Sequence, residues 1–152
     1  MSNNSKVSGE IAELLLVEDN PGDIKLIRKS FEKAKLNNAL HVVQRVDEAL
    51  NFMFQRGQYT DAPSVDLVLL DIQLPDGSGL DVLQEIKDDD DLRRVPVVVL
   101  TSSEAEEDIV TSYDRHANAY LTKPVDFPDL INLVQQLSDF WFTLVKRPKT
   151  SS

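Results

Sequence analysis

Cysteine is absent from the chain, which excludes disulfides, thiolate-held metals and a cysteine nucleophile. Histidine is nearly absent: His41 and His116 stand far apart without metal-ligand spacing, so both are read as surface or structural residues. No apolar run is long enough to span a bilayer, and the first residues lack a signal-peptide pattern. Basic residues are in deficit, 16 against 26 acidic, giving a formal net charge of −10. General nucleic-acid binding needs basic patches to displace counterions, and anionic membranes repel such a chain, so neither is expected as a partner. The expectation is a soluble cytoplasmic protein. Its 152 residues suffice for one domain with a core of its own.

What is present is an alternation. Leu14-Leu15-Leu16-Val17 is a short apolar run ending on Glu18-Asp19. Asn20-Pro21 then reads as a helix cap and first helical residue, with Asp23 in the first turn and Ile24, Ile27, Phe31 and Ala34 on one face. Leu40 to Val46 reads as a second strand, and Asp47 opens a short helix carrying Ala49, Leu50, Met53 and Phe54. A polar loop over Gln55 to Ser64 leads to Leu67-Val68-Leu69-Leu70, which ends on Asp71 and turn chemistry at Pro75, Asp76-Gly77 and Gly79. A third helix carries Leu80, Val82, Leu83 and Ile86 and runs into Asp88 to Asp91, a solvated helix end without calcium-loop spacing. Val97 to Leu100 is a fourth strand, followed by Thr101-Ser102-Ser103 and a capping-box helix from Ser103. Ala119-Tyr120-Leu121 is a fifth strand closing on Thr122-Lys123-Pro124, and Phe127-Pro128 starts the last helix.

Strands that are apolar throughout, rather than alternating, are buried on both faces, and strand–helix alternation implies right-handed parallel crossovers. The fold expected is α/β: a flavodoxin-like, doubly wound, five-stranded parallel sheet of order 2-1-3-4-5 with helices on both sides. In that order the first and third strands are neighbours, so Glu18, Asp19 and Asp71 converge at one edge, and the fourth and fifth strands bring Thr101 and Lys123. An isolated acid at a strand end reads as a loop cap; the whole set reads as a site. Carboxylates this close repel, by roughly 4 kcal/mol per pair at 4 Å and an effective dielectric near 20. A hard divalent cation offsets that, and Mg²⁺ suits an all-oxygen set. Asp19, Asp71 and the Gln73 carbonyl would bind it directly, with Glu18 orienting a coordinated water. A phosphoryl group on Asp71 would then meet the metal, the Lys123 ammonium and the Thr101 hydroxyl.

The motifs Leu15-Leu16-Val17-Glu18-Asp19-Asn20, Leu69-Leu70-Asp71 through Gly79, Pro96 to Thr101 and Tyr120-Leu121-Thr122-Lys123-Pro124 resemble those of the receiver domains of two-component response regulators. The resemblance spans about Leu14 to Leu137. It implies phosphorylation of Asp71 by a sensor histidine kinase, dependence on Mg²⁺, switch residues at Thr101 and Tyr120, and a cis Lys123-Pro124 bond. Arg56 to Pro63, the Asp-rich loop before Leu92-Arg93-Arg94-Val95-Pro96, and the tail from Phe140-Trp141 to Pro148 resemble the single-domain regulators paired with bacterial phytochromes. The implied layout is a disordered tail over 1–12, a receiver domain over 13–138 and a helix extension and tail over 139–152, with no output module after the receiver. Output would then be a surface read by another protein.

Two alternatives remain beside this reading. An Mg²⁺-dependent aspartyl phosphatase shares the strand-end Asp but wants an acid where Gln73 stands. A receiver-like scaffold acting without phosphorylation would have no need of the intact set. Finally, Phe140-Trp141-Phe142-Thr143-Leu144-Val145 is apolar almost all round, and such a helix is covered on more than one side. A homodimer through Phe140, Trp141, Phe142 and Val145 is expected.

Overall fold

The central strand and its neighbours consist of residues that favour a pleated, fully covered environment. A computed structural model describes residues 12–33, 38–102 and 119–136. β1 (Ala12–Val17), β2 (Asn38–Val43), β3 (Leu67–Asp71), β6 (Val97–Thr101) and β7 (Ala119–Thr122) form one parallel sheet in the order β2-β1-β3-β6-β7. Counting these five along the chain gives 2-1-3-4-5, as expected. Two residues each from β4 (Gln73–Leu74) and β5 (Gly77–Ser78) make a separate antiparallel hairpin.

Side chains alternate across a strand, and each strand feeds two cores. Leu15, Val17, Val68, Leu70, Val97 and Val99 face α2 (Val46–Met53) and α3 (Gly79–Asp88), packing on Phe52, Met53, Leu83 and Ile86. Leu14, Leu16, Leu67, Leu69, Val98 and Leu100 face the other way, onto Ile27 and Phe31 of α1 (Pro21–Lys33) and Leu130 and Val134 of the helix over 127–136. This double burial explains why the runs are continuously apolar. Truncating one such side chain, for instance Leu69→Ala, removes about 2–5 kcal/mol.

The start of α1 follows the sequence: Asn20 Oδ1 accepts from the Asp23 N–H at 3.0 Å, and Pro21 takes the first helical position. The start of α2 does not. β2 stops at Val43 and α2 begins at Val46, so the strand expected over Leu40 to Val46 ends three residues earlier and starts at Asn38. Its N-cap residue, Arg45, offers no side-chain cap; the acceptors come instead from Asp76, which lies 30 positions away from Val46. No local pattern announces such a cap. The polar loop after α2 contains a 3₁₀ turn, Gly57–Tyr59, whose Tyr59 ring lies 5.3 Å from Phe52. In the acidic run, Asp89 Oδ2 accepts from the N–H groups of Asp91 and Leu92 and opens a second 3₁₀ turn, Leu92–Arg94. Lys87 closes that turn by donating to the carbonyls of Arg93 and Val95, and burial pulls its pKa down. His41 is structural, as read: its Nε2 lies 2.7 Å from Glu13 Oε1, and its ring lies 5.2 Å from Phe52. His116, the capping-box helix from Ser103 and the residues Phe140, Trp141, Phe142 and Val145 lie outside the described residues.

Among the described residues no helix is long and apolar enough to cross a membrane.

Candidate functional site at the strand ends

Every residue of the acidic set sits at the carboxyl edge of the sheet because the ladder puts it there. The Glu18 N–H continues the β1–β2 ladder by donating to the Val43 carbonyl at 3.0 Å, and the Lys123 N–H donates to the Thr101 carbonyl at 2.7 Å. Asp71 and Thr101 are the last residues of β3 and β6. The Lys123–Pro124 peptide is cis, as the resemblance implied.

These backbones deliver a tight cluster. The Lys123 ammonium lies 2.6 Å from Glu18 Oε1, 3.1 Å from Asp23 Oδ2 and 3.3 Å from Asp71 Oδ2. The other Glu18 oxygen, Oε2, accepts from the Asn20 N–H at 3.2 Å. Glu18 is fully buried and Asp71 is 4% exposed, while Asp19 lies at the surface. One carboxylate oxygen from each of these three can be chosen so that all lie within 4.8 Å of one another. They border an open cavity of about 340 Å³, on whose rim lie Asp23, Gln73, Ser102 and Lys123.

The charges do not balance. Four carboxylates (Glu18, Asp19, Asp23 and Asp71) and one ammonium line the cavity. Burial pushes the Glu18 carboxyl up to about 7; the Lys123 ammonium opposes that rise and the Asp71 charge reinforces it. Burial also disfavours charge on Lys123, but Glu18, Asp71 and Asp23 outweigh it and hold the ammonium above the ordinary lysine value. Asp71 Oδ1 is buried and has no hydrogen-bond partner among the described residues. A buried acceptor left in that state costs about 1–3 kcal/mol, so it marks a place where a ligand belongs. The donor set is all oxygen and in excess of negative charge, which fits a hard divalent cation.

The structure brings together Glu18, Asp19, Asp71, Gln73 and Lys123, as their strand-end positions required. Thr101 is buried at the end of β6, its Oγ1 making a long 3.5 Å contact to the Leu121 carbonyl. In the parallel register Tyr120 pairs with Val99, two residues before Thr101, and packs with the α2–α3 core. Thr101 and Tyr120 therefore share one face of the sheet. Two residues were missed. Asp23 reads in sequence as a helix-start acid, yet it is a partner of Lys123; its third position in α1 places it over the edge beside Glu18. Gly79 reads as turn chemistry, yet a Cβ there would overlap the carbonyl oxygen of Asp71 and stand 2.9 Å from its carbonyl carbon.

A doubly wound five-stranded sheet with an acid trio and a lysine at its carboxyl edge is the architecture of a receiver domain. The chain belongs to the response regulator receiver domain family, whose model matches residues 14–135. It is 40% identical over 135 residues to the response regulator Rcp1 of Synechocystis sp., covering 89% of this chain and 92% of the relative. The crystal structure of the Mn²⁺-bound form of Rcp1 superposes with a TM-score of 0.72 over 86% of this chain and 94% of that one. The phosphorylated cyanobacterial phytochrome response regulator RcpA is 40% identical (TM-score 0.73; 88% and 96% covered). The bacteriophytochrome response regulator AtBRR is 43% identical (TM-score 0.77; 85% and 94% covered).

Proposed function

We propose that the chain is a stand-alone, cytoplasmic response regulator that takes a phosphoryl group onto Asp71 from the phosphohistidine of a sensor kinase. The observation that carries this reading is Asp71 itself. It ends the central strand on an open acidic cavity, with one oxygen beside Lys123 and the other buried without a hydrogen-bond partner among the described residues. In the transfer a carboxylate oxygen of Asp71 forms the O–P bond as the N–P bond of the donor breaks. The electron pair of that bond leaves with the imidazole, which takes up a proton. The Lys123 ammonium neutralises one phosphoryl oxygen, and the Thr101 hydroxyl donates to another.

Asp19, Asp71 and the Gln73 carbonyl would hold Mg²⁺, with Glu18 orienting a coordinated water, and the metal would supply neutralisation of the remaining phosphoryl oxygen. The Mn²⁺-bound state of Rcp1 and the phosphorylated state of RcpA support the metal and the modification. Likeness to phytochrome response regulators supports a phytochrome-type kinase as donor. Output is an altered protein contact reached through Thr101 and Tyr120. A homodimer through Phe140, Trp141, Phe142 and Val145 belongs to the same reading and rests on the apolar pattern of that stretch.

The test is labelling by a small phosphodonor such as acetyl phosphate. Wild type should acquire an acid-labile, Mg²⁺-dependent label, and Asp71→Asn should acquire none. Full labelling of Asp71→Asn would reject the assignment. Asp19→Asn should be impaired through metal affinity and partly recovered by excess Mg²⁺.

A further inference from the structure

The segment between Asp71 and α3 has little to hold it in place by itself. β4 and β5 contribute two pairs, Gln73 with Ser78 and Leu74 with Gly77, and a two-stranded hairpin is marginal even when longer. Its base is fixed by the Gly79 N–H donating to the Ile72 carbonyl at 2.7 Å. Its tip, Pro75-Asp76, reaches across to another helix. Asp76 Oδ1 accepts from the Val46 N–H at 2.7 Å, and Oδ2 accepts from the Asp47 N–H at 3.1 Å. Arg45 Nη2 lies 3.6 Å from Oδ2, and the Asp76 side chain is 18% exposed.

The contact serves both partners. α2 has no cap from its own N-cap residue, so Asp76 satisfies two first-turn N–H groups and places a negative charge at the helix N-terminus. In return, a helix anchored to the sheet by buried Ala49, Phe52 and Met53 fixes the hairpin tip. Gln73, on the same hairpin, borders the acidic cavity.

We propose that Asp76 is a positioning residue for the acidic site: by capping α2 it holds the Gln73–Ser78 hairpin, and so the Gln73 carbonyl, in place for a divalent cation. This rests on the metal-dependent reading given under Proposed function. The coupling is reciprocal: a cation that steadies the hairpin also steadies the first turn of α2.

The experiment compares Mg²⁺ affinity, by titration calorimetry on the unphosphorylated full chain, with amide hydrogen exchange at Val46 and Asp47. Asp76→Ala should weaken Mg²⁺ binding about fivefold, the ratio matching a typical cap. Asp76→Asn, which keeps one acceptor oxygen and folds if the alanine variant does not, should fall between the two. Mg²⁺ should slow exchange at Val46 and Asp47 in wild type and not in Asp76→Ala. Val134→Ala, a truncation in the core on the opposite face of the sheet, should lower stability yet leave Mg²⁺ affinity unchanged. Saturable binding by wild type with equal affinity in both Asp76 variants overturns the proposal alone. Equal weakening by Val134→Ala reduces Asp76 to a fold-stabilising role and overturns it as well. No saturable binding by wild type overturns the metal reading and the proposal together.

Discussion

A single methyl group at Gly79 tests how closely the phosphoacceptor is held. Gly79 opens α3 directly against the end of β3, and a Cβ there would overlap the Asp71 carbonyl oxygen, with the Asp71 carbonyl carbon at 2.9 Å and Ile72 Cα at 3.2 Å. All three are backbone atoms, so no side chain can swing away. The start of α3 or the end of β3 has to retreat, by a distance on the order of 1 Å, the scale at which misplacing a reacting group costs about a hundredfold in rate. Overpacking of this kind costs about 1–3 kcal/mol, equivalent to a fall in Tm of about 3–10 °C for a domain of this size. Gly79→Ala should therefore slow labelling by acetyl phosphate far more than its stability loss explains. Ile86→Val is the control, since it removes about 0.5–1.5 kcal/mol from a buried position of the same helix without approaching Asp71. It should label at the wild-type rate. A Gly79→Ala variant that labels as fast as wild type would refute the close-approach argument.

Lys123→Met removes the ammonium facing Glu18, Asp23 and Asp71, and leaving such a group of charges unmatched costs about 3–5 kcal/mol. Urea unfolding at pH 8 in chelator should show the loss, and Mg²⁺ should restore part of it; an Mg²⁺-insensitive loss would contradict a cation site. Burial works to raise the Asp76 carboxyl, but the N–H groups of Val46 and Asp47 and the Arg45 charge hold it below its ordinary value of 3.8. Its contribution is thus fully present above 3.8 and is lost as pH falls through the depressed folded value. The stability gap between wild type and Asp76→Ala should stay level from neutral pH down to about 4 and close below it; a gap already closing near pH 6 would show the sign to be wrong. Thr101→Ala should still accept the phosphoryl group, yet the fluorescence or NMR response at Tyr120 should be lost, and an undiminished response would break the proposed coupling.

The sequence by itself determined the layers and the edge. Val68 to Leu70 and Val97 to Leu100 carry no polar alternation, which only a sheet covered on both sides accommodates, and the doubly wound order that goes with it brings Glu18, Asp71 and Lys123 together. Each of these ends a strand or directly follows one, so its place depends on the ladder and on nothing remote. Tertiary structure alone decided the rest. Asp23 becomes a partner of Lys123 because α1 lies over the first strand. Asp76 becomes the cap of a helix 30 positions earlier because the hairpin folds across the sheet edge. Gly79 matters because α3 starts in contact with the backbone of Asp71. Helical and strand periodicities report which face of an element is covered, but a hydrogen bond or a steric contact between elements depends on how they dock, and docking leaves no period in the chain.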